Sequence, residues 1–196
     1  SFPTQRSSDL IMKEKVQDKK TLVLQATLEL ISEQGFNGTP VSQIAKKAKV
    51  AVGTIYLYFP TKEVLINTLY IDIKTRLAQN VLKNYSQDMP IRESFLILVH
   101  NIADYFIKHS MEFLFMQQYS SSPLITSDTI NEGVDIFNKV KNLFKRAQDQ
   151  NLIKELPLEM LITLTNGGTL SIVKYCLFSN IKVDEPTLNE IGRAHV

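Results

Sequence analysis

Cysteine occurs once in the 196 residues, at Cys176. A single cysteine cannot form a disulfide within the chain, which excludes a disulfide-framed scaffold and favours a reducing compartment. Glycine and proline occur only seven times each, and no alternation of apolar and polar residues is sustained, which argues against a sheet-rich protein. Helix-forming residues such as leucine, alanine, glutamate and lysine are abundant, so we expect an all-α protein.

Long apolar runs are missing as well. Residues 95–99 form one of the longest, which is far too short to span a membrane. The first twenty residues are polar and charged and contain no apolar core of a signal peptide. We therefore expect a cytoplasmic protein with no membrane partner, and 196 residues suffice to bury one medium-sized core or two small ones.

Enzyme motifs are also missing: the sequence contains no HExxH, GxGxxG, Walker, CxxC or GxSxG pattern. His100 and Asp104 lie four residues apart and could share a helix face, but a metal site needs more ligands than this pair. Cys176 has no evident base beside it and is expected to be a small core residue. We expect no catalytic residue, metal ion or cofactor, and keep a helical metal-dependent enzyme only as an alternative.

The most informative stretch covers residues 35–65, which read GFNGTPVSQIAKKAKVAVGTIYLYFPTKEVL. Thr39 is a good helix N-cap, and Pro40 suits the first position of a helix. The apolar residues that follow recur at helical spacing as far as Ala48. These signals predict a first short helix, with a break among the lysines that surround its end.

A second short helix is predicted over 52–58. Ile55 and Phe59 lie four residues apart and are expected to face the core. Pro60 cannot continue this helix, and Thr61 can cap the next one. Two short helices joined by a tight turn, with hydroxyls and lysines on the outer face, suit the major groove of DNA and its phosphates.

The letters TPVSQIAKKAKV, followed by GTIYLYFPTKEVL, resemble the DNA-binding domain of TetR-type transcriptional repressors. The resemblance covers roughly residues 22–69, and beyond them only length and helical pattern agree. It implies an N-terminal three-helix DNA-binding unit and a C-terminal helical bundle that binds a ligand and dimerises. One departure is Ala51-Val52 at the start of the recognition helix, where the family often has polar residues and where we expect weaker polar readout.

Side-chain chemistry suggests roles within this stretch. Gly53 would allow a close approach to DNA, and the hydroxyl of Thr54 suits a base edge or a phosphate. Tyr56, Tyr58 and Lys62 would place hydroxyls and a charge on phosphates. With the resemblance, the expected DNA-binding residues are Thr39, Ser42, Val52, Gly53, Thr54, Tyr56, Leu57, Tyr58 and Lys62.

Several of these roles have a simpler alternative. Tyr56 and Tyr58 could merely pack within the small domain, and for Tyr58 neither interpretation is favoured. The lysines at 46, 47 and 49 are expected to form a solvated face that helps electrostatically. The lysines at 13–20 belong either to a solvated helix start or to an arm that touches the DNA backbone.

The charge distribution agrees with this placement of the motif. Residues 1–62 contain nine Lys/Arg and five Asp/Glu, a net charge of +4, while residues 63–196 contain thirteen and fifteen, a net charge of −2. The basic part of the chain is therefore the part that carries the motif.

The organisation expected along the chain has three parts: a disordered or vector-encoded extension over 1–12, a helix-turn-helix DNA-binding domain over 13–61, and a helical ligand-binding and dimerisation domain over 62–196. Besides the two short helices, periodicity predicts helices over 18–34, 62–84, 91–110, 111–119, 128–150, 158–178 and 184–191, with a linker at 86–90. The ending at 192–196 departs from the family and could be a truncation or a vector-encoded tail.

The second half contains many aromatic residues beside a few polar ones, which would suit an apolar inducer pocket. A plain bundle core is the alternative for any one of them. The candidate ligand-binding residues are Phe95, His100, Tyr105, Phe106, Met116, Tyr119, Phe137, Asn166 and Tyr175. The pair Gly167-Gly168 would either let a neighbouring helix come close or make room for a ligand, and close packing is favoured.

The hypothesis is a homodimeric repressor that a small apolar molecule of unknown identity releases from double-stranded operator DNA. The resemblance implies that the ligand displaces the fourth helix and changes the spacing of the two recognition helices, which must match half-sites about 34–36 Å apart. Besides the enzyme above, a helix-turn-helix regulator controlled by a partner protein remains an alternative.

Overall fold

The computed structural model describes the backbone of residues 5–179 and the side chains from Lys19 to Ser179. Every regular element in this part of the chain is a helix, which confirms the all-α prediction. The helices are α1 (Gln5–Gln34), α2 (Val41–Ala48), α3 (Val52–Tyr58), α4 (Lys62–Val81), α5 (Ile91–Lys108), α6 (Ser110–Tyr119), α7 (Ser127–Asp135), α8 (Asn138–Asp149) and α9 (Leu158–Phe178).

The chain divides into two compact units. The first, the helix-turn-helix unit, contains the described residues up to Tyr70 together with Leu114–Thr126. The second, the bundle unit, contains Ile71–Phe113 and the described residues from Ser127 onward. This division differs from the expected boundary at 61/62, because part of α4 and the segment 114–126 pack with the helix-turn-helix.

In the helix-turn-helix unit, α1 packs against α2 and α3 around a small core. Val23 and Ile31 from α1, Ile44 from α2, and Ile55 and Phe59 from the α3 region are at most 1% exposed. Removing each such side chain from water contributes about 1.5–3 kcal/mol, which neither short helix could obtain alone. The inward placement of Ile55 and Phe59 is therefore confirmed.

Two turns in this unit are made by residues in the left-handed backbone conformation. Gly35 ends α1 with a left-handed φ of 71°, and its N–H donates to the Ile31 carbonyl at 2.9 Å. Lys49 ends α2 in the same left-handed region, with φ 56°, and the Val50 N–H donates back to the Ala45 carbonyl. The tight turn between α2 and α3 is thus set by a helix-ending motif.

Two predictions at helix starts are wrong. α1 begins at Gln5 rather than at residue 18, because extending an existing helix avoids the cost of starting a new one. Thr39 does not cap α2: Pro40 holds the N-cap position, and the Thr39 hydroxyl donates to the Gly35 carbonyl at 2.8 Å. The helix starts one residue later than the Thr39 cap would require.

The bundle unit packs α5, α8 and α9 against one another. Its core includes Leu98 and Val99 from α5, Leu143 from α8, and Val173 and Cys176 from α9. Cys176 is buried with a free thiol, as expected for a small core residue. α9 has the predicted bounds, whereas α4 ends at Val81, three residues earlier than expected.

The single helix predicted over 128–150 is wrong, because the chain breaks between α7 and α8. At the break the Phe137 N–H donates to Val134 instead of the carbonyl four residues back, and Phe137 becomes the N-cap of α8. The Lys74 ammonium lies 5.1 Å from the centroid of the Phe137 ring. A tertiary contact of this kind is invisible to helical periodicity. The helix predicted over 184–191 lies outside the described residues.

Candidate nucleic-acid interface

The outward face of α3 is exposed. Ile55 and Phe59 hold the inner side, and the residues between them point away from the core. Leu57 is 82% exposed and Tyr56 48%, and Val52 is exposed at the start of the helix. α3 therefore presents a phenol hydroxyl between apolar side chains, a combination that suits a phosphate and thymine methyl groups.

Gly53 lies on this face and is exposed. A Cβ atom built on it would meet no atom of the described residues within 4 Å. The fold of this chain therefore does not need glycine at this position, and the missing side chain leaves space on the outside of α3.

Thr54 and Tyr58 are half-buried, so they flank the exposed face rather than form it. The Tyr58 ring meets the Phe59 ring edge-on, with 6.3 Å between centroids. This contact shows that Tyr58 has a packing role, and a DNA contact by its hydroxyl stays a prediction.

Ser42 and Thr39, the two DNA-binding residues predicted near the start of α2, differ in exposure. Ser42 is exposed and available to a neighbouring molecule. Thr39 is fully buried and its hydroxyl is engaged with Gly35, so the structure argues against a side-chain contact from Thr39 to DNA. Its burial follows from the turn that begins at Gly35, which the sequence pattern did not reveal.

Lys62 contacts Phe36 within the helix-turn-helix unit. Its ammonium donates to the Phe36 carbonyl and lies 4.1 Å from the centroid of the Phe36 ring. Burial lowers the pKa of Lys62, although the nearby Glu63 opposes this effect. The ammonium therefore has a partner inside the unit, and a phosphate contact by Lys62 stays a prediction.

Of the three lysines in and after α2, Lys47 forms ion pairs with α1. Its ammonium lies 2.9 Å from Glu29 and 4.0 Å from Glu33, and the hydrogen bond to Glu29 raises the pKa of Lys47. This lysine helps to hold α2 on α1. Lys46 and Lys49 are exposed, in agreement with the expected solvated face.

The predicted ligand-binding residues are divided between the two units. Met116 and Tyr119 belong to the helix-turn-helix unit, where the Tyr119 hydroxyl accepts a hydrogen bond from the Phe36 N–H. Tyr175 lies on the exposed side of α9, and its assignment to a pocket stays a prediction. The other candidates lie in the bundle unit: Phe95, His100, Tyr105, Phe106, Phe137 and Asn166.

Within the bundle unit, two of these candidates take part in aromatic packing. The Phe95 ring meets Phe144 edge-on at 6.0 Å, and the Phe106 ring meets Phe113 at 5.5 Å. Asp104 is paired with Lys108 at 2.7 Å, so the carboxylate of the possible His100–Asp104 metal pair is occupied. Among the described residues, no group of three or more potential metal ligands occurs.

Sequence reasoning missed a buried polar cluster around Glu112, which is only 4% exposed. The Glu112 carboxylate accepts hydrogen bonds from the Arg76 guanidinium and from the Tyr105 hydroxyl. Arg76 also pairs with Asp72 at 2.9 Å. Burial, and then the hydrogen bond to Glu112, raise the pKa of Tyr105. No local pattern marks Glu112, because its partners lie on α4 and α5.

The comparison with known proteins agrees with this geometry. A model of bacterial regulatory proteins of the TetR family matches residues 23–69, and a model of the tetracyclin repressor-like C-terminal domain matches residues 90–194. The second match alone covers more than half of the chain. The protein is thus a helix-turn-helix transcriptional regulator. It belongs to the TetR family, as the motif over 39–65 suggested.

Individual relatives extend over different shares of the chain. An HTH-type transcriptional regulator of Haemophilus influenzae is 26% identical over 186 residues, 92% of this chain and 95% of the relative. The regulator YuxN of Bacillus subtilis is 32% identical over 94 residues, and the match spans 46% of this chain but only 32% of that relative's length.

Two solved structures share the fold at low identity. A TetR family transcription regulator from Marinobacter aquaeolei superposes with a TM-score of 0.85 at 20% identity, covering 92% of this chain and 95% of the other. The transcriptional regulator FadR from Bacillus subtilis, in complex with stearoyl-CoA, gives a TM-score of 0.72 at 22% identity, covering 89% and 94%. In the described part of this chain, no helix is long and apolar enough to cross a membrane.

Proposed function

We propose that the chain binds operator DNA through the outward face of α3 and represses transcription. The observation that carries this proposal is the exposure of Val52, Gly53, Tyr56 and Leu57 together on a helix whose opposite side is anchored in the core. Tyr56 would donate to a phosphate, and Val52 would contact a thymine methyl. Ser42 on α2 would add a phosphate contact.

Gly53→Ala tests this assignment, because the added methyl fits the fold but occupies the space next to the DNA. We expect the free energy of unfolding to stay unchanged or to rise by about 0.5 kcal/mol, since alanine favours a helix. Operator affinity should fall about tenfold or more, which corresponds to about 1.4 kcal/mol. The measurement is fluorescence anisotropy on an operator selected from random duplex DNA by the unchanged protein.

The control is Gln79→Ala, at an exposed position of α4 in the bundle unit, which should leave operator affinity unchanged. A Gly53→Ala protein that binds the operator as tightly as the unchanged protein would remove Gly53 from the interface.

The second part of the proposal is a homodimer formed through α9. Residues of α9 at spacings of three and four form an exposed stripe, here called the α9 stripe. Its members are Met160, Leu164, Gly167, Ser171, Tyr175 and Phe178. Leu164 and Phe178 are each 65% exposed. A second copy of the same stripe would cover these apolar side chains, and a two-fold interface places identical surfaces against each other.

The small residues at the middle of the stripe fit this arrangement. A Cβ atom built on Gly167 meets nothing within 4 Å, so this glycine is not needed for packing within the described chain. Together with Ser171 it would let two α9 helices approach closely at their centre.

The regulator would act in the cytoplasm. The third part of the proposal concerns its effector. A protein of the same fold was crystallised with stearoyl-CoA, so a long apolar acyl chain is the ligand class to test first. Apolar and aromatic residues dominate the core of the bundle unit, where burial of an acyl chain would contribute about 0.8 kcal/mol per methylene.

Calorimetry with stearoyl-CoA, with and without operator DNA, is the matching experiment. An inducer must bind the DNA-free form more tightly, and it must weaken operator binding by the same factor by which operator weakens its own binding. We expect a coupling of about 5–150-fold. Equal affinity in both titrations would show that stearoyl-CoA is not an inducer of this protein.

A further inference from the structure

The backbone of Phe36, in the turn between α1 and α2, is bonded at its N–H and at its carbonyl by two side chains from far away in the sequence. Its N–H donates to the Tyr119 hydroxyl at 3.1 Å. Its carbonyl accepts a hydrogen bond from the Lys62 ammonium, which also lies over the Phe36 ring. We call this arrangement the Phe36 clamp. It ties the turn before α2 to the start of α4 and to the end of α6, within the helix-turn-helix unit.

Tyr119 is placed to hold the Phe36 turn and is too buried to contact DNA directly. It is 4% exposed, and its ring packs on Phe115 with 5.0 Å between centroids. Its hydroxyl meets the DNA-binding helices through the backbone N–H of Phe36.

A second contact from α4 secures the segment that carries Tyr119. The Asn67 side-chain amide donates to the Leu124 carbonyl at 2.8 Å, and its oxygen accepts from the Thr126 N–H at 2.9 Å. Residues 114–126 are therefore bonded to α4 at Asn67 and to the Phe36 turn at Tyr119.

We propose that Lys62 and Tyr119 are positioning residues for operator binding. By fixing the Phe36 peptide they set the point from which α2 starts, and α2 in turn carries α3. This inference rests on the proposed DNA-binding function. Without the clamp, the turn would have to be ordered at the moment of binding, and the apparent affinity falls in proportion to the population that is competent to bind.

The experiment uses two conservative variants, Tyr119→Phe and Lys62→Met, which keep the apolar parts of both side chains. The probe is the operator selected from random duplex DNA by the unchanged protein. We expect each variant to lose about three- to tenfold in affinity, and the double variant to lose less than the product of the two, because both residues hold the backbone of the same residue, Phe36. Amide hydrogen exchange at Phe36 should accelerate in Tyr119→Phe.

The salt dependence separates positioning from phosphate contact. If Lys62 touched a phosphate, Lys62→Met would lower the salt slope of binding by about one unit. A positioning role predicts an unchanged slope, and a slope lowered by one would overturn the assignment of Lys62.

Tyr85→Phe is the matched control. The Tyr85 hydroxyl is buried in the bundle unit and has no hydrogen-bond partner among the described residues, so its removal breaks no bond seen there and should not change operator affinity. If Tyr119→Phe binds the operator like the unchanged protein while the Phe36 amide exchanges faster, the clamp does not position the DNA-binding helices. If the unchanged protein selects no DNA sequence at all, the proposed function itself fails, and this outcome is distinct from the others.

Discussion

Gly167→Arg in α9 is expected to convert the protein from a dimer to a monomer. The substitution places a charge at the centre of the apolar α9 stripe and, by two-fold symmetry, brings two arginines together. Like charges at an interface cost several kcal/mol, so we expect the dimer dissociation constant to rise about a thousandfold, or about 4 kcal/mol. Light scattering over a range of concentrations measures this change.

Operator affinity should fall together with dimerisation. A dimer engages two half-sites, and the second contact is made at a high effective concentration, which raises affinity by about 10²–10⁴ over a single module. The monomer would keep its fold, because Gly167 is exposed and arginine favours a helix more than glycine does.

Gln79→Arg is the control for this experiment, since it adds the same charge at an exposed position of α4. It should leave the dimer and its operator affinity intact. A Gly167→Arg protein that remains a dimer would show that α9 is not the interface.

Glu112→Ala is expected to be the most destabilising single substitution in the buried polar cluster. It leaves the Tyr105 hydroxyl without its acceptor inside the bundle unit. It also removes one of the two carboxylates that face Arg76, although Asp72 remains. We expect a loss of about 2–3 kcal/mol, less than for a fully buried ion pair, because the Arg76 side chain is 38% exposed.

Glu159→Ala provides a contrast with the same chemical change. Glu159 pairs with Lys141 at 2.8 Å, but its side chain is 71% exposed, and surface pairs contribute little to stability. Urea unfolding of both variants at one protein concentration gives the comparison. Equal losses for the two variants would contradict the role assigned to Glu112.

Local signals were sufficient for several elements. The bounds of α3 and α9 were predicted at the observed residues, and α5 began where expected. Proline explains this success, because Pro60 prevents α3 from continuing, and Pro90 and Pro157 immediately precede α5 and α9. The inward residues Ile55 and Phe59 followed from a spacing that any helix imposes.

The break between α7 and α8 could not be predicted in this way. The apolar residues over 128–150 keep helical spacing straight through the break, so the pattern alone predicts one helix. At the break Phe137 contacts Lys74, far earlier in the chain, and the spacing of apolar residues carries no information about such a contact. Periodicity records which residues share a face, and not whether the face is continuous.

The sequence by itself determined the helical class, the family and the residues on the outer side of α3, because each depends on neighbours within a few positions. Only the tertiary structure decided the roles of Lys62, Tyr119 and Glu112. Tyr119 meets a backbone group 83 positions away, and Glu112 meets Arg76 across 36 positions. The local sequence around Lys62 is the same whether its ammonium binds a phosphate or a backbone carbonyl. Packing decides which of these groups lies beside the ammonium.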